Sequence, residues 1–137
     1  MGDMVADDDD TLADLAYQGN VAALSARLDS GGNPDDEEEF FSGASPLFCA
    51  ARYGHIDCAD VLLKRGADVG LLHPECGTAL HGAACSGHAD IVSLLLKHKA
   101  PPNAVDTSGD TALTLAAFSG HVAVARALVE AGADAGL

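Results

Sequence analysis

Four side chains in the middle of the chain, Cys76, His81, Cys85 and His88, follow the spacing C-x4-H-x3-C-x2-H. Thiolates and imidazoles are zinc ligands, so the run raises the question of a metal centre. A Cys–His pair drawn from it could also act as nucleophile and base. That chemistry needs a third group to orient the base and donors for an oxyanion, and no pattern in the chain offers either. There is no glycine-rich phosphate loop and no pair of carboxylates following a strand. A second series, His55, His88 and His121, suggests a pH sensor, because imidazole titrates near neutrality. Its members, however, each follow a glycine, Gly54, Gly87 and Gly120, at a fixed step of 33 residues. A residue that returns at one place in every unit of a repeat is scaffold before it is chemistry. His81 and His88 are accounted for by the repeat without any metal. The reading is a chain that is not an enzyme, with no catalytic, cofactor or metal site.

The elements that must position these residues are clearest in Asp106–Asp134. Thr111 is placed to cap a short helix with an apolar face of Ala112, Leu113, Leu115 and Ala116. Ser119-Gly120-His121 breaks it with a tight turn, and a second helix runs to about Ala131. Gly132 then has the placing of a left-handed C-cap. Neither helix is long enough to stand alone in water. The neighbours are in the sequence. SPLFCAARYGHIDCADVLLKRGAD, TALHGAACSGHADIVSLLLKHKAP and TALTLAAFSGHVAVARALVEAGAD superpose without a gap. Gly66 and Gly132 lie two periods apart, with Lys99 midway. A fixed period with this content describes a stacked solenoid.

Gly77–Ala84 (GTALHGAA), Gly87-His88, Leu95-Leu96 and Gly66-Ala67-Asp68 resemble the ankyrin repeat over nearly the whole chain. The resemblance implies an all-α solenoid of four stacked helix-turn-helix repeats joined by β-turn or hairpin-like loops, with no true sheet. Residues 1–9 are expected to be an acidic, disordered leader. The repeats are expected at 10–39, a degenerate N-terminal cap, then 40–72, 73–105 and 106–137. In the first, Asp10 is placed to cap the opening helix. Gly19 and Gly31 lie 35 residues before Gly54 and Gly66, so two residues are inserted in the acidic loop at 35–39. Ser45 caps the second repeat, with Pro46 where a missing N–H costs nothing.

The departures from the pattern carry expectations of their own. Phe48 stands where the family has His, so the polar tie that His81 would make between repeats is absent there. Cys76 takes the place of a glycine, with Gly77 one residue late, and that turn should be distorted. Lys99 replaces the capping glycine at a position expecting positive φ, a cost of roughly 1 kcal/mol or more. Pro101-Pro102 forbids any continuation of the helix, which makes the junction between the third and fourth repeats the softer one. The last helix, Val122–Ala131, carries only Arg126 and Glu130 as charges. A terminal repeat needs a polar outer face, so a longer array, or self-association through this end, would cover it.

The length suits one domain. The formal charge of −14, with no basic stripe, makes nucleic acid a poor partner. No apolar run approaches a membrane span. Cys49, Cys58, Cys76 and Cys85 all fall inside repeat motifs and read as reduced thiols, which points to the cytoplasm and is compatible with the nucleus. Five consecutive carboxylates at 35–39 must lie on the surface. They read as a solvated tip or, alternatively, as a finger for a partner with a basic surface, anchored by Phe40 or Phe41.

What the scaffold leaves free is the turn tips and the outer end of each first helix, lining a concave groove. That face collects Tyr17, Gln18, Arg52, Tyr53, Cys85, Ser86, Phe118 and Ser119, and the tips add Phe41, Ser42, Ala44, Pro74, Glu75, Thr107, Ser108 and Asp110. Tyr17, Tyr53 and Phe118 would form an aromatic row beside Arg52, a composition suited to a protein-binding hot spot. The expected function is a non-catalytic protein-protein interaction module within a larger protein or array. A self-contained inhibitor of an enzyme such as a protein kinase ranks behind it. The small ankyrin inhibitors of cyclin-dependent kinases that the chain resembles in size have a shortened helix in their second repeat, and Ser45–Tyr53 looks full length. A substrate-recruiting arm of a modifying enzyme comes third.

Overall fold

The computed structural model describes residues 10–35, 44–73 and 75–132. Within them lie eight helices in four antiparallel pairs: α1 (Leu12–Gln18) with α2 (Val21–Asp29), α3 (Pro46–Arg52) with α4 (Ile56–Lys64), α5 (Ala79–Ser86) with α6 (Ala89–Lys97), and α7 (Ala112–Phe118) with α8 (Val122–Glu130). None exceeds nine residues, well short of what is stable alone. Stability comes from stacking: α1, α3, α5 and α7 pack side by side in one row, with α2, α4, α6 and α8 behind them in a second. Among the described residues there is no strand, and His73 and Gly77 form an isolated bridge.

Small residues make the inner row possible. Ala13, Ala16, Ala50, Ala51, Ala83, Ala84, Ala112 and Ala116 are all essentially inaccessible, and their short side chains let neighbouring helix backbones approach closely. The outer row supplies bulk, with Leu62, Leu95 and Leu128 fully buried at one register position. Each inner helix starts at a hydroxyl cap. Ser45 Oγ accepts from Phe48 N–H at 3.2 Å with Pro46 behind it, and Thr111 Oγ1 accepts from Thr114 N–H at 3.2 Å. In α1 the cap is Thr11 rather than Asp10. Thr11 Oγ1 accepts from Asp14 N–H at 3.0 Å while the Asp14 carboxylate accepts from Thr11 N–H at 2.8 Å. This reciprocal box satisfies two helix-start donors where a preceding Asp would satisfy one. Asp10 instead receives Gln18 Nε2 at its carboxylate and Arg27 at its carbonyl.

The recurring histidines are the staples of the stack, and their role differs from the one the turn position suggests. His55, His88 and His121 begin α4, α6 and α8 without capping them. Each ring instead reaches the preceding pair: Nε2 meets the carbonyl of Tyr17 at 2.9 Å, of Arg52 at 3.2 Å and of Cys85 at 3.1 Å. These carbonyls lie at the ends of α1, α3 and α5, where helix acceptors have no partner of their own. The ring lies over Gly19, Gly54 or Gly87, where an added Cβ would come within 2.6, 2.8 or 2.7 Å of it. His81 ties a different level of the stack: Nδ1 accepts from Thr78 N–H at 3.0 Å, so Nε2 carries the proton and donates to Asp110 C=O at 2.9 Å. With His121, it bridges the junction expected to be softer.

Lys99 does hold the left-handed position, at φ 73°, in register with Gly66 at 92° and Gly132 at 98°. The turn before α5 is altered, as Cys76 foretells. In the 106–110 turn the left-handed residue is Gly109, φ 82°; before α5 it moves one place on, to Gly77, φ 86°. His73 Nδ1 accepts from Glu75 N–H and Cys76 N–H at 3.0 and 3.1 Å. The Asp106 carboxylate does the same work for Ser108 and Asp110, both at 2.9 Å. In the 35–39 stretch, Asp35 accepts from Asp68 N–H at 2.8 Å; the other four carboxylates lie outside the described residues.

Candidate protein-binding face

The C-terminal ends of the inner helices come to one side of the stack, because the row is in register and the ends of α1, α3 and α5 are each pinned by a histidine from the next pair. Tyr17 and Tyr53 meet there edge to face, with ring centroids 4.6 Å apart and an interplanar angle of 85°. They remain 45% and 49% exposed. The contact holds two large amphipathic rings ready without burying them, so a partner need not order them on binding. Gln18 is half-buried through its bond to Asp10. Cys85 and Ser86 are half-buried and Ser119 is exposed. Phe118 is 92% exposed, and so it forms no continuous row with the two tyrosines; Cys85 and Ser86 occupy the place between them.

The tips divide in the same way. Glu75, Thr107 and Ser108 are exposed, with Thr107 Oγ1 donating to Glu75 C=O at 3.5 Å. Asp110 is half-buried and its carbonyl is taken by His81. Ala44, expected at a free tip, is buried at 4% exposure. Phe41, Ser42 and Pro74 lie outside the described residues, as does Phe40.

Between α3 and the 73–77 turn the face opens into a cleft of about 190 Å³, lined by Ala44, Phe48, Cys49, Arg52, Tyr53, His73, Glu75 and Cys76. The sequence points to Arg52, Tyr53, Glu75 and Ala44 but not to the floor. The signal was Phe48: without a histidine there, no imidazole crosses to the next turn as His81 does. The Phe48 ring stacks on His73 instead, centroids 5.3 Å apart and 26° from parallel. Gly82 adds no side chain from the neighbouring helix, where a Cβ would sit 3.3 Å from the Phe48 ring.

Cys76, His81, Cys85 and His88 do not converge. The rings of His81 and His88 are engaged as described, and among the described residues no group of three or more His, Cys, Asp or Glu could hold a metal ion. Of the thiols, Cys49 is pushed up to about 12 by burial and then by the Asp14 carboxylate. Cys58 is pushed up to about 11 by burial and then by Asp57. Both are therefore protonated and poor nucleophiles at neutral pH. No helix among the described residues is long and apolar enough to cross a membrane. Comparison with known families matches residues 66–137 to a model of ankyrin repeats and residues 42–73 to a model of the single ankyrin repeat.

Proposed function

The chain belongs to the ankyrin-repeat family, whose members generally act as protein-protein interaction modules, and from that premise we propose that it is a non-catalytic module that binds a protein partner through its concave face. The observation that carries the reading is the Tyr17–Tyr53 pair, two half-exposed rings held edge to face beside the Arg52 cleft. Aromatic and Arg anchors of this kind supply much of the energy of protein interfaces. The net charge of −14 favours a partner with a basic surface, steering its approach more than fixing its affinity.

The test is a quantitative pull-down on immobilised chain in three forms: wild type, Tyr17→Ala/Tyr53→Ala, and Asp60→Ala/Lys64→Ala on the exposed i,i+4 pair of the outer row. Partners should be retained by wild type and the outer-row variant and lost from the tyrosine variant. Retention by the tyrosine variant, with loss from the outer-row variant, would place binding on the opposite surface.

A further inference from the structure

Resting on the concave-face reading, we propose that the cleft between α3 and the 73–77 turn receives a carboxamide side chain, Asn or Gln, from the partner. The argument starts from His73. Its Nδ1 accepts from two backbone N–H groups, which fixes the neutral tautomer with the proton on Nε2. The ring is 6% exposed and one face is covered by Phe48. Nε2–H bonds to none of the described residues, yet among them no sealed-off side-chain nitrogen or oxygen lacks a partner. The donor therefore keeps access to solvent, and the ring that carries it lines the cleft. A pre-positioned donor with an apolar floor selects an acceptor, because leaving it unpaired under a ligand costs a desolvated hydrogen bond.

The charges around the cleft select a neutral one. Arg52 contributes one positive charge and Glu75 one negative, so the charged side chains of the lining balance. A carboxylate would meet Arg52 but also the Glu75 carboxylate, on a chain whose net charge is −14. An ammonium would meet Arg52 and the His73 donor. A carboxamide matches all three polar groups: its oxygen accepts from His73 Nε2–H and Arg52, and its amino group donates to Glu75. Its methylene stem has Phe48, Ala44 and Tyr53 to lie against.

Titration of the whole isotope-labelled chain with propionamide, propionate and propylammonium, followed by NMR at the His73 side-chain nitrogen and the Glu75 and Cys76 amides, tests this directly. The expected result is a saturable shift with propionamide in the millimolar range, as small fragments allow, and about tenfold weaker binding of both charged probes. Cys76→Phe, whose ring fills the cleft, should abolish the response. Binding of propionate or propylammonium as tight as that of propionamide overturns the assignment. So does a response that survives Cys76→Phe, or the absence of a saturable shift in wild type. The wild-type comparison of probes stands even if the variant does not fold. A cleft that ignores propionamide while Tyr17→Ala/Tyr53→Ala still loses partners would sink the carboxamide site alone; tyrosine-independent partner binding would sink the concave-face reading.

Discussion

Replacing Gly87 and Gly120 by alanine, one at a time, separates the histidine staple from every other role of these turns. Both glycines are left-handed, at φ 81° and 77°, so both substitutions incur the same backbone strain, about 1 kcal/mol. Both gain the same few tenths to about 1 kcal/mol from a less flexible unfolded chain. What differs is the space. A Cβ on Gly87 would stand 2.7 Å from His121 Cε1 and Nδ1, whereas one on Gly120 meets no described atom within 4 Å. Gly87→Ala must therefore displace the His121 ring and break its bond to Cys85 C=O, now 3.1 Å. A lost hydrogen bond of this kind costs about 0.5–1.5 kcal/mol, and the bared carbonyl adds to it. Gly87→Ala should thus be the more destabilising by roughly 1–2 kcal/mol. Urea denaturation followed by circular dichroism reads this as a lower midpoint at unchanged slope. In a His121→Ala background the extra cost of Gly87→Ala should vanish, since there is no ring left to displace. Equal midpoints for the two single variants would refute the staple.

Lys99→Gly should raise the urea midpoint, by about 0.5–1 kcal/mol, because φ 73° strains any residue with a Cβ; a lower midpoint would mean that the Lys99 side chain contributes more than its backbone costs. Iodoacetamide at mildly alkaline pH should modify the half-buried Cys76 and Cys85 in the folded chain and spare Cys49 and Cys58 until it unfolds, as peptide mass mapping would report. Because folding raises both buried thiols above their ordinary 9.0, the native state holds their protons longer than the unfolded one. Their contribution is full below pH 9.0 and is lost as pH climbs through about 11 for Cys58 and about 12 for Cys49; stability flat across that window would contradict it. Thermal melts with excess zinc and with chelator should coincide, since His81 and His88 spend their Nε2 groups on backbone carbonyls; a zinc-dependent rise removed by Cys85→Ser would overturn this.

The helix pairs were legible because their signals are local and repeat. A hydroxyl cap, a run of alanines, Gly-His and a left-handed stop return three times at one spacing, so each copy checks the others. Even the strained Lys99 could be read, from the glycines on either side of its register. The first cap was misplaced by one residue because Asp10 and Thr11 are both good caps. Only the reciprocal bond from Asp14 decides between them, and a capping box is usually sought with Glu or Gln. The function of the Gly-His pairs was less legible. Position suggests a bond within the turn, whereas the ring acts on the previous pair, a contact made across 36 to 38 residues. The proposed binding face follows by subtraction, from what the scaffold leaves unexplained, and subtraction along a sequence cannot reveal a cleft. Phe48 and His73 become neighbours only when two pairs stack, and Phe118 is cut off from the tyrosines for the same reason: the row runs through Cys85 and Ser86.

Hydrogen exchange of the chain alone and in complex with a captured partner tests the concave-face claim most directly. Slowed exchange confined to the ends of α1 and α3 and to the 73–77 and 106–111 turns is the predicted footprint. Slowed exchange confined to α2, α4 and α6, with those turns unchanged, would contradict it.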